Sequence, residues 1–319
     1  MSGPALFGHD LFGEVIVPKS SGPVAERFII PPFTILDAKS GDWQERKRAW
    51  LSMGIKSEVG RGDALTYGST DGDNFFSNEV ANRGGGTSIF DPVLCELVYR
   101  WFSPVGGQVL DPFAGGSVRG IVASALGRQY YGIDLRELQV DANRRQAVEL
   151  LGPGNPVPVW VAGDSTVALA DAPLCDLLFS CPPYGDLEVY SDDPSDLSTM
   201  TDDGFDTAYR DIIARGVQRM KPDSFACFVV GDFRDKKGIY RNFVSKTIQA
   251  FEDAGARLYN EAILATPVGT ACLRVTKQFD AGRKLAKTHQ NVLVFIKGDP
   301  KLAAKKCMTP GDIESDGAL

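Results

Sequence analysis

The sequence predicts an α/β chain whose mainly parallel sheet is covered by helices on both faces. Three observations predict it. Between residues 109 and 296, short apolar runs alternate with stretches of helical length and period, the pattern of successive βα units. A glycine turn, Asp111-Pro-Phe-Ala-Gly-Gly116, lies between the first of these runs and a helix. A proline pair, Pro182-Pro183, closes another run. Two prolines there stop the strand and fix the backbone at the end where open α/β sheets bind ligands.

The elements follow in order. Residues 1–30 are rich in Gly, Pro and Ser around Glu14-Val-Ile-Val17 and read as an extended arm. Phe33 to Leu36 is a short strand or turn. Asp42 to Trp50 is helical, with Asp42 as a cap and Trp43 and Trp50 on one face. Its Arg46, Lys47 and Arg48 face either phosphate or solvent. Residues 60–86 are loop, from their Gly, Asn, Asp and Ser content. Ser88 to Phe102 is a helix with Pro92 near its start and Asp91 as cap. Strands are expected at 109–110, 130–133, 157–161, 174–179, 225–230, 261–264 and 292–296. Helices are expected at 118–126, 138–150, 206–220 and 243–254. The last strand is a candidate for antiparallel insertion. The division is an extension at 1–86, a catalytic domain at 87–300 and a tail at 301–319.

Composition sets bounds. The chain has 319 residues, 43% hydrophobic and 24% charged, enough for one large domain that needs no disulfides. Six cysteines, none in a CxxC pair, point to reduced thiols and a cytoplasmic location. Two histidines without metal-like spacing argue against zinc. No apolar run reaches membrane-span length and no secretion signal opens the chain. A net charge of −7 argues against non-specific coating of nucleic acid, not against a local basic groove.

The strand ends carry the candidate site. Gly115 and Gly116 remove side chains where backbone must approach a ligand, with Pro112, Phe113 and Ala114 completing the turn. Asp111 is placed to take up a cationic ligand end. Asp134 closes the next strand, where an acid accepts from ribose hydroxyls. Asp164 follows the third, where a carboxylate can accept from an adenine amino group. Either of these two acids alone reads equally well as a cap or turn residue. An acid-lined turn without a P-loop lysine suits a sulfonium nucleoside better than a pyrophosphate.

Together these residues resemble the DNA amino-methyltransferases, which act on adenine N6 or cytosine N4. Val109-Leu-Asp-Pro-Phe-Ala-Gly-Gly-Ser117 looks like their cofactor motif, and Ser180-Cys-Pro-Pro-Tyr184 like their catalytic motif. Thr87-Ser-Ile-Phe90 resembles the segment that closes over the cofactor's methionine end. Lys287 to Lys297 resembles their closing helix-to-strand segment. The likeness spans residues 87–298, and the arm looks like extensions of phage and prophage members. It implies a Rossmann-like methyltransferase fold with a seven-stranded sheet. It also implies S-adenosylmethionine bound by Phe90, Asp111, Pro112, Phe113, Ala114, Gly115, Gly116, Asp134 and Asp164. The catalytic residues would be Cys181, Pro182, Pro183 and Tyr184, and the partner double-stranded DNA, with methylation of the restriction-modification kind. Two departures stand out: no separate target-recognition region is visible, and Cys181 replaces the usual Asp, Asn or Ser.

In that family the side chain before the prolines and the first proline's carbonyl accept from the target amino group, and the aromatic residue stacks on the flipped base. A thiol is a weak acceptor, so Ser180, Asp186 or a water can stand in for Cys181. A cysteine nucleophile of the cytosine-C5 type is disfavoured, because here Cys precedes the prolines. Residues 185–211 hold nine acids against Arg210 alone and read as a solvated lid or a sensor of polyanion. Residues 274–306 are basic, and Lys277, Arg283, Lys284 and Lys287 are the candidate DNA contacts. Competing readings are an RNA-base methyltransferase, a DNA modifier moving another group, and a non-catalytic module that binds cofactor or DNA.

Overall fold

The computed structural model describes residues 28–55, 90–183, 196–235, 237–267 and 272–307. Its sheet has eight strands: β1 (Ile35–Asp37), β2 (Gln108–Asp111), β3 (Gln129–Asp134), β4 (Val159–Ala162), β5 (Cys175–Ser180), β6 (Met220–Val230), β7 (Arg257–Ala265) and β8 (His289–Lys297). Across the sheet the order is β1-β7-β8-β6-β5-β2-β3-β4. Every neighbouring pair is parallel except those of β8, which runs antiparallel to both β6 and β7. The expected antiparallel insertion of the last strand is therefore present. The expected count of seven needs correction, because β1 adds an eighth strand beside β7.

Side chains alternate strictly through the central strands. Leu177 and Phe179 of β5 and Phe225, Cys227 and Val229 of β6 enter one apolar cluster. Leu178 of β5 and Ala226, Phe228 and Val230 of β6 enter the other. A strand buried on both faces has this pattern, since successive side chains point oppositely. The first cluster is completed by α1 (Gly41–Ser52), α2 (Pro92–Phe102), α3 (Val118–Ala125), α4 (Glu137–Leu150) and Ala303. The second is completed from beyond α5 (Ser165–Ala168), by α6 (Asp202–Arg219) and by α7 (Phe243–Asp253). Among the described residues no helix is long and apolar enough to cross a membrane.

Residues 28–55, within the stretch read as an arm, are built into this fold. The cap of α1 is Ser40, whose hydroxyl accepts from the Trp43 amide, rather than Asp42. Trp43 and Trp50 are fully buried as the spacing predicts. The three bases of α1 divide: Arg48 is exposed, whereas Arg46 is buried and bonds both carboxylate oxygens of Glu96 at 2.6 Å. Glu96 also accepts from the Trp50 indole at 2.8 Å and from Arg100 at 3.0 Å. Lys47 pairs with Asp91 at 3.2 Å, and Asp91 caps α2.

Two further helices close the described chain, α8 (Cys272–Gly282) and α9 (Pro300–Cys307). Lys306 of α9 donates to the carbonyls of Pro222 and Asp223. The acidic run is partly helical: Thr201 caps α6, and Asp202 and Asp203 sit in its first turn, where carboxylates complement the helix dipole. Asp202 pairs with Arg241, Asp206 with Lys246 and Asp211 with Arg215. Asp202, Asp206 and Asp211 are thus paired within the fold, while Asp203 is exposed.

Candidate active site

The strand order reverses direction at β2, with β3 and β4 to one side and β5 and β6 to the other. In open α/β sheets the crevice outside the strand ends at such a switch point is the binding position. Both singled-out motifs reach it. The glycine turn leaves β2 and the Cys181-Pro-Pro segment leaves β5, and these strands are direct neighbours.

Asp111 ends β2 and is fully buried. Its Oδ1 accepts from the Ser180 hydroxyl at 2.5 Å and the Phe113 amide at 3.2 Å. Its Oδ2 accepts from Arg119 Nε at 2.5 Å and the Tyr130 hydroxyl at 2.7 Å. The cation that Asp111, expected at a cationic ligand end, holds in this structure is Arg119. Arg119 comes back from α3 beneath the turn and donates to the carbonyls of Phe113 at 2.5 Å and Ala114 at 3.0 Å. Burial works against its charge, but Asp111 and then Tyr130 outweigh that and hold the guanidinium firmly protonated. The guanidinium also lies 4.7 Å from the Phe90 ring centre. Phe90 in turn packs edge-on against Phe179 of β5.

The turn itself is pinned from three sides. The Ala114 amide donates to Ile133 O at 2.9 Å. The Gly115 amide donates to Asp134 Oδ2 at 2.9 Å, and Gly115 O accepts from Asn143 at 2.7 Å. The Pro112 carbonyl accepts from Ser165 at 2.6 Å. Gly115 has φ +52 with nothing within 4 Å of where a Cβ would stand, so the backbone is left-handed and faces open space. Gly116 follows it in the turn, ahead of α3. Phe113 reaches the other face, against Tyr209 and Phe228.

The two other acids stand at the neighbouring strand ends. Asp134 also accepts from the Arg136 amide at 2.9 Å, so it is a turn residue as well as a lining carboxylate. Asp164 caps α5, its Oδ1 accepting from the Thr166 amide at 2.8 Å. Both are half-buried. Each carboxylate oxygen can accept more than one bond, so the cap and ligand roles are compatible.

At the end of β5, Ser180 is fully buried and its hydroxyl donates to Asp111. Cys181 is half-buried against the first apolar cluster. Pro182 is buried and Pro183 half-buried. Tyr184 and Asp186 lie outside the described residues. Cys95, Cys175, Cys181, Cys227 and Cys307 are free thiols, and no His, Cys, Asp or Glu grouping among the described residues could hold a metal.

Of the basic candidates, Lys277 lies on α8 and is exposed. Arg283, Lys284 and Lys287 lie on the connection from α8 to β8. β8 runs antiparallel to β6, which is parallel to β5, so this connection enters β8 at the end of the sheet where Cys181 leaves β5. Lys287 is half-buried; burial lowers the pKa of its ammonium, opposed by Asp232. Sequence reading missed Arg119, Tyr130, Ser165 and Asn143, whose roles depend on contacts across elements.

No protein-family model matches the chain, and no curated protein matches it. Among solved structures, TrmN from Thermus thermophilus is 18% identical over 65% of this chain, with TM-score 0.44. The chain spans about half (49%) of TrmN's length. A TehB-like SAM-dependent methyltransferase from Corynebacterium glutamicum is 19% identical over 69% of this chain and 92% of its own, with TM-score 0.42. Magnesium protoporphyrin IX methyltransferase from Synechocystis PCC 6803 is 14% identical over 73% of this chain and 100% of its own, with TM-score 0.43. The sheet order with its one reversed strand is that of a Rossmann-like methyltransferase fold.

Proposed function

We propose that the chain transfers methyl from S-adenosylmethionine to an exocyclic amino group of a DNA base, adenine N6 or cytosine N4. The observation that carries this reading is the Asp111–Ser180 hydrogen bond at the switch point, which ties the glycine turn to the proline pair. The cofactor suits the residues present. Gly115 leaves open space at the turn, Asp134 and Asp164 offer carboxylates at adjacent strand ends, and no P-loop lysine follows. Asp134 would hold the ribose, Asp164 the adenine amino group, and the Phe90 segment the methionine end. When bound, S-adenosylmethionine supplies an electrophilic methyl carbon.

The remaining chemistry falls to the chain. An exocyclic nitrogen is a poor nucleophile because its lone pair is delocalised into the base. Acceptors on its N–H bonds draw it toward tetrahedral geometry and offset the developing positive charge. The Pro182 carbonyl is the stronger of the two acceptors, since the Cys181 thiol accepts weakly. Tyr184 stacks on a base that has left the duplex. Lys277, Arg283, Lys284 and Lys287 contact phosphate. Holding the reactants in line then supplies most of the rate.

The test is transfer of labelled methyl to unmodified duplex DNA, read by nucleoside mass spectrometry. N6-methyladenine or N4-methylcytosine is expected. Cys181→Ser keeps activity, whereas Pro182→Ala and Tyr184→Ala lose most of it. Label found only in RNA, or none with cofactor still bound, would reject the reading. Loss of activity in Cys181→Ser with cofactor binding intact would reject the acceptor role.

A further inference from the structure

The geometry points to the hairpin of residues 233–241 as a second duplex-DNA contact, with Tyr240 and Ile239 as its base-facing tip and Lys284 at its side on phosphate. The inference rests on the DNA substrate proposed above.

Position comes first. The hairpin leaves the sheet just past the end of β6, the strand next to β5, and Ser180 is in register with Phe228. It therefore rises beside the Cys181-Pro-Pro segment. Its base is anchored in the second apolar cluster by Phe233, 5.5 Å from Phe243.

The hairpin is also preorganised. Arg234 and Tyr240 form an antiparallel bridge. Asp235 N donates to Ile239 O, Gly238 N to Asp235 O, and Arg241 N to Phe233 O, each at 2.9 Å. The Asp235 carboxylate accepts from the amides of Lys237 and Ile239 at 2.9 Å. Gly238 supplies the φ of +85 that the turn requires. Arg234 donates to Gly238 O at 2.8 Å and places its guanidinium 3.9 Å from the Tyr240 ring centre.

What this frame presents to solvent is apolar and aromatic. Ile239 is 65% exposed and Tyr240 43%. Single exposed apolar residues are ordinary. Two adjacent ones, on a hairpin braced by these backbone and Asp235 bonds, are held outward rather than left over. A rigid apolar projection beside a flipped-base pocket is the chemistry of a wedge or stacking platform against base steps.

Charge supplies the partner. The Lys284 side chain lies along the hairpin, so close that a Cβ on Gly238 would meet its Cε at 2.8 Å and Nζ at 2.9 Å. Next to it, Arg283 sits 5.1 Å from the ring centre of Phe279, which is 39% exposed. Arg234, Lys237, Lys277, Arg283, Lys284 and Lys287 here face Asp232, Asp235 and Asp280, and Asp235 is already engaged by backbone amides. A net positive face on a chain of charge −7 favours a polyanion.

The test is binding of the full chain to a labelled mixed-sequence duplex, intact or carrying one abasic site, by fluorescence anisotropy over a salt series. Tyr240→Ala is expected to weaken duplex binding about fivefold or more, the loss of one stacked base. It should also remove any preference for the abasic duplex and leave the salt slope unchanged. Tyr240→Phe restores binding, and Ile239→Ser falls between the two. Lys284→Ala lowers the salt slope by about one. Melting temperature and cofactor affinity stay at wild-type values in all four. Wild-type duplex binding by Tyr240→Ala, or a loss confined to single strands or RNA, overturns the inference. The two proposals fail separately. Tyr240-dependent duplex binding without methyl in DNA would sink only the proposed reaction. Methylated DNA with Tyr240-independent binding would sink only this one.

Discussion

Asp111→Ala should cost about 3–5 kcal/mol of stability, the usual penalty for removing one partner of a buried ion pair. The magnitude follows from what the carboxylate holds. Arg119 is only 5% exposed and would keep its charge without a counter-ion. It would retain the Phe113 and Ala114 carbonyls, which is why the loss does not climb further. The Tyr130 and Ser180 hydroxyls and the Phe113 amide would also lose their acceptor. Unmade buried bonds cost about 1–3 kcal/mol each, but hydroxyls rotate to new partners and the penalties are not additive. Against a typical total of about 5–15 kcal/mol, the variant would be marginal. The assay is urea unfolding followed by far-ultraviolet circular dichroism. Arg119→Met alone should cost a similar amount, because it strands Asp111. The double variant Asp111→Leu/Arg119→Met should cost clearly less than the two losses added together. A loss below about 1 kcal/mol for Asp111→Ala, or strict additivity in the double variant, would refute the reasoning.

Three other outcomes are expected. Burial alone would raise the Glu96 pKa, but the Arg46 bonds and charge, the Arg100 charge and the Trp50 bond outweigh it and leave it lowered. Its contribution is therefore fully present above the unfolded value of about 4.3 and is lost as pH falls through the folded value. Melting temperature should drop more steeply below about pH 5 in wild type than in Glu96→Gln. Gly120→Ala places a methyl group against the Trp160 and Tyr130 rings; overpacking of about 1–3 kcal/mol should exceed the helix-propensity gain of about 1 kcal/mol, so thermal melting falls. Asp134→Ala leaves the Gly115 and Arg136 amides without their acceptor and removes the proposed ribose contact. Calorimetric titration with S-adenosylhomocysteine should show affinity lower by about tenfold or more, the equivalent of about 1.4 kcal/mol.

The central strands and the main helices were legible because two-sided burial and helical periodicity are written locally. β1 was legible only as a short strand or turn, since three residues with one buried side chain carry no period, and its place in the sheet comes from the open edge of β7. α9 was read as tail because its anchors are carbonyls more than eighty positions upstream. The site divides in the same way. Acids at strand ends and a glycine turn are visible from residue type and spacing. The fate of Asp111 was not, because its cation arrives from the following helix. Arg46 was read as facing phosphate or solvent for the same reason: its partner, Glu96, lies on another helix. Charged residues are assigned to solvent by sequence pattern, and only tertiary contact overrides that.

The Asp111 cluster also bears on why a cysteine is tolerable before the prolines. Ser180 has no exposed surface, so its hydroxyl is not presented to a base, and the Cys181 thiol accepts only weakly. In the proposed reaction, activation of the amino group then rests chiefly on the Pro182 carbonyl, whose direction is fixed by backbone rather than by a rotatable side chain. A backbone acceptor is useful only if the segment carrying it is held firmly against the turn that holds the donor. The buried bonds from Ser180 through Asp111 to Arg119, and from Arg119 to the turn's own carbonyls, provide that rigidity. On this argument Ser180→Ala should lower kcat more than it changes cofactor affinity, because it loosens the catalytic segment while Arg119 still holds the turn. Equal loss in both, measured by single-turnover transfer and cofactor titration, would mean the cluster serves the turn alone.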